Sequence, residues 1–256
     1  MAILKLDQVT KRFGGLVALK DFNANLEEGE IVGLIGPNGA GKTTAFNVIT
    51  GVYKPEQGRV TFNSRDITML KAHPRTAMGI CRTFQNIRLF DQMTVLENIL
   101  VAMHIRLKKS IFSVVAGSPG YQKREKEMKE EAFELLRYVN LDHLADERAP
   151  NLPYGQQRRL EIGRALATNP KLLLLDEPAA GMNPQETAEL MEFINKIQGE
   201  FKLTIFIIEH QMMVVMGICK RILVLDYGLT IAQGTPKEIQ NNPKVIEAYL
   251  GVKDSA

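Results

Sequence analysis

Apolar residues recur along this chain in two rhythms that alternate from one end to the other, short β-type runs and longer stretches at helical spacing. Ile3 to Val9 alternates apolar and polar positions and predicts a strand. Lys11 to Gly15 reads as a turn, and Phe22 to Leu26 as the returning strand. Ile31 to Ile35 is an unbroken apolar run rich in β-branched residues, the pattern of a strand buried on both faces. A helix is predicted over Thr44 to Thr50, stopped by Gly51. Further strands are predicted at Arg59–Phe62, Gly79–Phe84, Leu172–Leu175, Leu203–Ile208, and as a hairpin at Arg221–Asp226 and Leu229–Gly234.

The helical rhythm is equally explicit. Thr94 and Glu97 form a capping-box pattern opening a helix towards Met103. Lys123 to Tyr138 carries Met128, Ala132, Leu135, Leu136 and Val139 on one face and charges on the other. Helices are also predicted at Tyr154–Thr168, at Pro184–Gly199 with proline at its start, and at Pro236–Leu250. His104 to Gly120 loses periodicity and reads as a loop. Its apolar residues Ile111, Phe112, Val114 and Val115, flanked by Lys108-Lys109 and Lys123-Arg124, suit either packing on a helical subdomain or contact with a membrane surface or membrane partner. Strands alternating with helices imply a largely parallel sheet, with ligands at the strand carboxyl ends. The helical stretch from Val95 to Pro150 reads as a subdomain set into this core.

Composition adds bounds. With 256 residues, 45% hydrophobic and 24% charged, the chain is an ordinary globular protein able to bury a core. A net charge of +3 is too small to argue for nucleic acid. No apolar run approaches the ~20 residues of a membrane-spanning helix. The N-terminus lacks a secretory layout, and Cys81 and Cys219 suit neither a disulfide framework nor a zinc site, so a cytoplasmic chain with reduced thiols is expected.

Chemistry concentrates where strands end. Gly36, Pro37, Asn38, Gly39, Ala40, Gly41, Lys42 and Thr43 fit G-x-x-x-x-G-K-[ST] at every fixed position, directly after a strand and before a helix that includes Thr44. Glycines let backbone N–H groups close around phosphates, and the helix N-terminus adds positive potential. Lys42 can reach the β- and γ-phosphates of a nucleotide, and the Thr43 hydroxyl can ligate Mg²⁺. Asp176 and Glu177 follow four leucines. In such a fold one carboxylate holds Mg²⁺ and its neighbour polarises an attacking water. Gln85 and His210 also follow predicted strands and can face the same nucleotide. Phe13 is either a core residue or an aromatic plate for a purine.

These motifs, with the Gly155-Gln-Gln-Arg-Arg159 helix start between Gln85 and Asp176, resemble the ATPase subunits of ABC transporters in the same order. The resemblance spans nearly the whole chain. It implies an α/β fold: a phosphate-loop (RecA-like), mostly parallel core at 1–93 and 168–256, with an N-terminal antiparallel β region and an inserted helical signature subdomain at 94–167. It further implies ATP and Mg²⁺ as cofactors, with Glu177 as catalytic base, His210 at the γ-phosphate, Gln85 at the metal and sensing a membrane partner, and Phe13 against adenine. A second ATPase subunit, identical or a close paralogue, would complete each site with its own Tyr154, Gly155 and Gln156.

Integral membrane permease subunits, and through them a solute-binding protein, are the implied partners, placing the chain on the inner face of the cell membrane; nucleic acid is not among them. Arg82-Thr-Phe-Gln-Asn-Ile-Arg-Leu-Phe90, Asn151 to Ile162, Pro178 to Pro184 and the Gly234 to Leu250 tail are most similar to branched-chain amino-acid importer subunits, with urea-import and lipopolysaccharide-export subunits as neighbours. Three positions depart from the wider family. Leu-Ser-Gly-Gly-Gln becomes Leu152-Pro-Tyr-Gly-Gln156, with Pro153 suited to a first helical turn, and Asn183 and Gln211 stand where aspartates are usual. DNA-associated ATPase heads would need heptad arms, and ribosome-bound relatives usually carry two phosphate loops; neither feature is present.

Overall fold

Strands β1 (Ala2–Phe13) and β2 (Leu16–Glu27) open the chain as a long antiparallel ribbon. In the computed structural model, which describes residues 2–106 and 119–250, both strands run further than their apolar alternation. The turn expected over Lys11–Gly15 shrinks to Gly14-Gly15, because Phe13 pairs with Leu16 and Arg12 with Val17. The ribbon's tip is exposed or half-exposed, so its residues carry little inward–outward rhythm. Left-handed backbone at Gln8 (φ 48°) and Asp21 (φ 49°) breaks the alternation again, next to shifts in register. β4 (Gln57–Phe62) and β5 (Arg65–Asp66) complete a four-stranded antiparallel sheet in the order β2-β1-β4-β5.

The second sheet runs β10-β9-β3-β8-β7-β6. Its members are β3 (Ile31–Ile35), β6 (Ile80–Arg82), β7 (Leu172–Asp176), β8 (Thr204–Ile208), β9 (Arg221–Asp226) and β10 (Leu229–Gly234). All neighbours are parallel except the β9–β10 hairpin. Every residue of β3, β7 and β8 is buried, the expected state of strands covered on both faces. Helix α1 (Lys42–Thr50) buries Ala45, Phe46, Val48 and Ile49, and Phe46 meets Phe206 of β8 with ring centroids 5.3 Å apart. Gly33 on β3 lets helix α7 (Met212–Ile218) approach closely, since a Cβ there would lie 3.1 Å from Cys219 Sγ and 3.2 Å from Val215.

Two short helices escape the sequence rhythm, α7 and α2 (Ala72–Ala77). Helix α2 has one task visible in its contacts. Its Arg75 is fully buried and donates to the Val48, Ile49, Leu70 and Thr68 carbonyls, capping the end of α1. Burial lowers the Arg75 pKa to about 10, so it stays charged at neutral pH. Helix α6 (Pro184–Glu200) starts as expected with Pro184 after an Asn183 cap. The single helix expected over Pro236–Leu250 is two, α8 (Pro236–Gln240) and α9 (Pro243–Leu250), because Asn241 ends the first and Asn242 accepts from the Lys244 N–H ahead of the second.

The chain divides into two compact units, Met1–Gln85 with Lys171–Ala256, and Asn86–Pro170. The second holds helices α3 (Val95–Met103), α4 (Pro119–Tyr138) and α5 (Tyr154–Leu166). Thr94 and Glu97 make the reciprocal capping box expected of them. Ala132, Leu135 and Leu136 of α4 and Val139 just beyond it are buried, while Met128 is only half-buried. Arg158 and Glu161 form a buried ion pair at 2.7 Å on α5. Of the loop expected over His104–Gly120, His104–Arg106 is a 3-10 turn and Pro119 already belongs to α4; residues 107–118, with the apolar cluster and Lys108-Lys109, lie outside the described residues.

Candidate nucleotide site

Between β3 and α1 the chain makes a loop that only glycine permits at two points. Gly36 has φ 151°, and a Cβ there would sit 2.0 Å from the Leu225 carbonyl oxygen. Gly41 has φ 104°, and its Cβ would fall 2.4 Å from the Ala18 oxygen. Lys42 is buried beneath the loop, where its Nζ donates to the Gly36 carbonyl at 2.7 Å and the Pro37 carbonyl at 2.8 Å. Burial lowers the Lys42 pKa, against the opposing pull of Glu177 and Asp176. Asn38, Gly39 and Thr43 face solvent, and Pro37 and Thr44 are half-buried. The β9–β10 turn clips the loop from outside, because the Gly228 N–H donates to the Ala40 carbonyl at 3.0 Å.

The acidic pair closes the other side. Asp176 is the last residue of β7 and is 4% exposed. Glu177 steps into left-handed backbone, φ 47°, uncommon for a non-glycine residue and costly enough to need support. Part of that support is its N–H bond to the Ile208 carbonyl, 2.9 Å. Its carboxylate gathers two of the other expected residues. Gln85 Nε2 donates to one oxygen at 2.6 Å, and His210 Nε2 lies 2.6 Å from the other. Three side chains from the ends of three parallel strands thus meet at one carboxylate.

Sequence reasoning missed the partner of Asp176. Arg82, the last residue of β6, donates to Asp176 Oδ2 at 2.6 Å and to Asn47 Oδ1 of α1 at 2.6 Å. Its guanidinium lies 5.5 Å from the Phe46 ring and 5.1 Å from the Phe84 ring. The only signal was a charged residue inside a predicted strand. Glu209, just past a predicted buried strand, was missed as well: it is 1% exposed and accepts peptide N–H bonds in the interior.

An open cavity of about 460 Å³ runs between Phe13, the phosphate loop, Gln85, Glu177 and His210. Of the two readings left open for Phe13, the core one fails, because the ring is 41% exposed at the cavity's edge. Tyr53 meets it edge-on at 5.1 Å and Lys11 Nζ lies 5.2 Å from its centroid.

Tyr154, Gly155 and Gln156 belong to the other unit, where they form the first turn of α5. Pro153 stands just ahead of the first helical turn it was expected to suit. It is the N-cap, in extended backbone, and its carbonyl accepts from the Gln156 and Gln157 N–H groups. The two replaced aspartates also acquire partners. Asn183 caps α6 through a reciprocal box with Glu186, and Gln211 Nε2 donates to the Ala179 carbonyl at 2.9 Å.

The ABC transporter family model matches residues 19–180, and a model described as branched-chain amino acid ATP-binding cassette transporter matches residues 230–255. The high-affinity branched-chain amino acid transport ATP-binding protein LivG of Salmonella typhimurium is 49% identical over 249 residues, 97% of this chain and 98% of that protein. BraF of Pseudomonas aeruginosa, described in the same words, is 46% identical over 97% of this chain and 98% of its own length. Among solved structures, an ATP-binding cassette of an ABC transporter in its ADP conformation superposes with a TM-score of 0.85 at 37% identity, covering 98% of this chain and all 100% of that one. A dimeric cassette in a post-hydrolysis state, bound to ADP and Pi, superposes at 0.76 with 29% identity, covering 91% and 98%. Strand order, phosphate loop, acidic pair and relatives agree on one conclusion: the chain belongs to the ABC transporter family, as an ATP-hydrolysing, ATP-binding subunit.

Proposed function

We propose that this chain drives import of branched-chain amino acids, working as one of two ATPase subunits on separate integral membrane subunits at the inner face of the membrane, with a solute-binding protein supplying the cargo. Among the described residues no helix is long and apolar enough to cross a membrane, in keeping with separate membrane subunits. The cargo reading rests on the relatives' function and on the match of residues 230–255.

One observation carries the catalytic reading: Gln85 and His210 both bond the Glu177 carboxylate, beside the cavity that the phosphate loop walls. Backbone N–H groups of Gly39 to Thr43 and the α1 N-terminus bind the phosphates, and Lys42 supplies the cation. Phe13 offers its exposed ring to adenine. Glu177 takes the proton of the attacking water, which lets oxygen attack the γ-phosphorus as the bond to the β-phosphate oxygen breaks. His210 and Gln85 hold that carboxylate in place and line the γ-phosphate side. The oxygen donors of Thr43, Gln85 and Asp176 suit a hard divalent cation, and Arg82 bonds only one Asp176 oxygen. There Mg²⁺ would supply positive charge against the phosphates.

Glu177→Gln tests this reading. The amide cannot accept the proton, so turnover should fall by at least about 100-fold while ATP binding persists. The variant should accumulate as an ATP-bound dimer in Mg-ATP, read by light scattering after gel filtration. Hydrolysis near the wild-type rate would refute the role of Glu177, and a monomer at saturating Mg-ATP would refute the paired arrangement. With its membrane subunits in vesicles the wild type should import leucine, isoleucine or valine; uptake of urea alone would overturn the cargo.

A further inference from the structure

Glu209 follows β8 directly and is 1% exposed, an acid in the interior. Its carboxylate accepts from three peptide N–H groups: Ala179 at 2.8 Å, His210 at 3.0 Å and Gln211 at 3.3 Å. Ala179 stands two residues beyond Glu177, and His210 is the residue whose ring reaches Glu177. Ala179 is held through its carbonyl as well, which accepts from Gln211 Nε2 at 2.9 Å. One buried carboxylate therefore ties the loop that carries Glu177 to the loop that carries His210.

Such a charge is expensive to bury, and peptide donors offset part of that cost. Burial pushes the Glu209 pKa up, the three N–H groups oppose it, and the nearby charge of Glu177 adds a smaller push upward. Burial, with Glu209 adding to it, also raises the neighbouring Cys219 thiol to about 12. A neutral side chain of similar size would fill the space at less desolvation cost, so solubility and packing give no reason for a carboxylate here.

We infer that Glu209 is a positioning residue for hydrolysis, fixing His210 against Glu177 by holding both of their loops through peptide N–H bonds. The inference rests on the proposed roles of Glu177 and His210. Its amide counterpart cannot replace it, because Glu209→Gln keeps one acceptor oxygen and turns an NH₂ group towards N–H donors.

The test is a double-mutant cycle on the full-length chain, reading kcat, KM for ATP and ATP affinity for Glu209→Gln, His210→Ala and the double variant. Glu209→Gln should lower kcat by about tenfold, a cost in keeping with slight misplacement of a catalytic group, and leave KM and affinity within about twofold. In the His210→Ala background the same change should cost less than about twofold, because the group it positions is gone. Gln211→Ala, which loosens Ala179 at its carbonyl without burying a new group, should lower kcat in the same direction and serves should Glu209→Gln not fold. A wild-type kcat in Glu209→Gln, losses that multiply in the double variant, or ATP affinity falling in step with kcat would overturn the inference. Should Glu209→Gln not fold, a wild-type kcat in Gln211→Ala, or undiminished loss from it in the His210→Ala background, would overturn it. Full turnover in His210→Ala would instead overturn the site reading beneath it.

Discussion

Lys42 carries more than one interaction, and its removal separates them. Its ammonium holds the Gly36 and Pro37 carbonyls in a buried position, and burial already lowers its pKa. Lys42→Ala would leave two loop carbonyls without their donor and the phosphates without their principal cation. ATP affinity should fall by about 100-fold, the scale of two lost charge-assisted bonds. Titration calorimetry with Mg-ATP checks this, and unchanged affinity would remove the phosphate loop from nucleotide binding. At this scale, Gln85, Glu177 and His210 were legible because each lies just past the carboxyl end of a predicted strand, where ligands gather in a parallel sheet. Arg82, Arg75 and Glu209 were not. Their partners come from distant elements: Arg82 meets Asp176 across 94 positions, and Arg75 meets Val48 across 27. A buried charge looks like a surface charge until the fold supplies its partner.

Arg75 shows how a small element can hold a larger one. Helix α1 ends at Thr50, where its last carbonyls need donors, and α2 delivers a guanidinium to two of them and to two loop carbonyls. Arg75→Met would take the guanidinium from four carbonyls, of which Val48 keeps the Gly51 N–H, while keeping much of the apolar volume. The loss should be roughly 2–4 kcal/mol, at about 1–3 kcal/mol for each buried carbonyl left without a donor. Urea denaturation checks it; a loss below about 1 kcal/mol would mean that water or a shift of α2 replaces the guanidinium. Helix α2 itself left little trace in the sequence, being six residues long with Pro74 inside it. Long helices fared better because periodicity needs several turns to show, as in α6, while the short buried strands were expected from their unbroken apolar runs. The two-helix tail was masked by apolar spacing that continues across Asn241 and Asn242 as if unbroken.

For the whole molecule, alternation of strands and helices announced a parallel sheet, but the order β10-β9-β3-β8-β7-β6 comes from pairings between distant segments that no local rhythm encodes. The same limit applies to assembly. Pro153 caps α5 and offers neither N–H nor hydroxyl, so a phosphate meeting this helix would use the peptide groups of Tyr154 and Gly155, the helix dipole and the Gln156 side chain. In a twofold dimer each such helix start would complete its partner's nucleotide site. Gly155→Asp should then abolish turnover while sparing ATP binding to the isolated subunit, because its carboxylate would repel the partner's γ-phosphate. Lys42→Ala carries the complementary defect, a damaged phosphate loop with an intact α5 start. Mixed before dimerisation, the two inactive variants should regain hydrolysis, because a heterodimer joins the sound loop of one to the sound helix of the other. Coupled-enzyme assays of each variant and of the mixture, with the membrane subunits present, read the result. Normal hydrolysis by Gly155→Asp alone, or a mixture as silent as its components despite proven heterodimers, would place the γ-phosphate contact elsewhere than on the partner's α5.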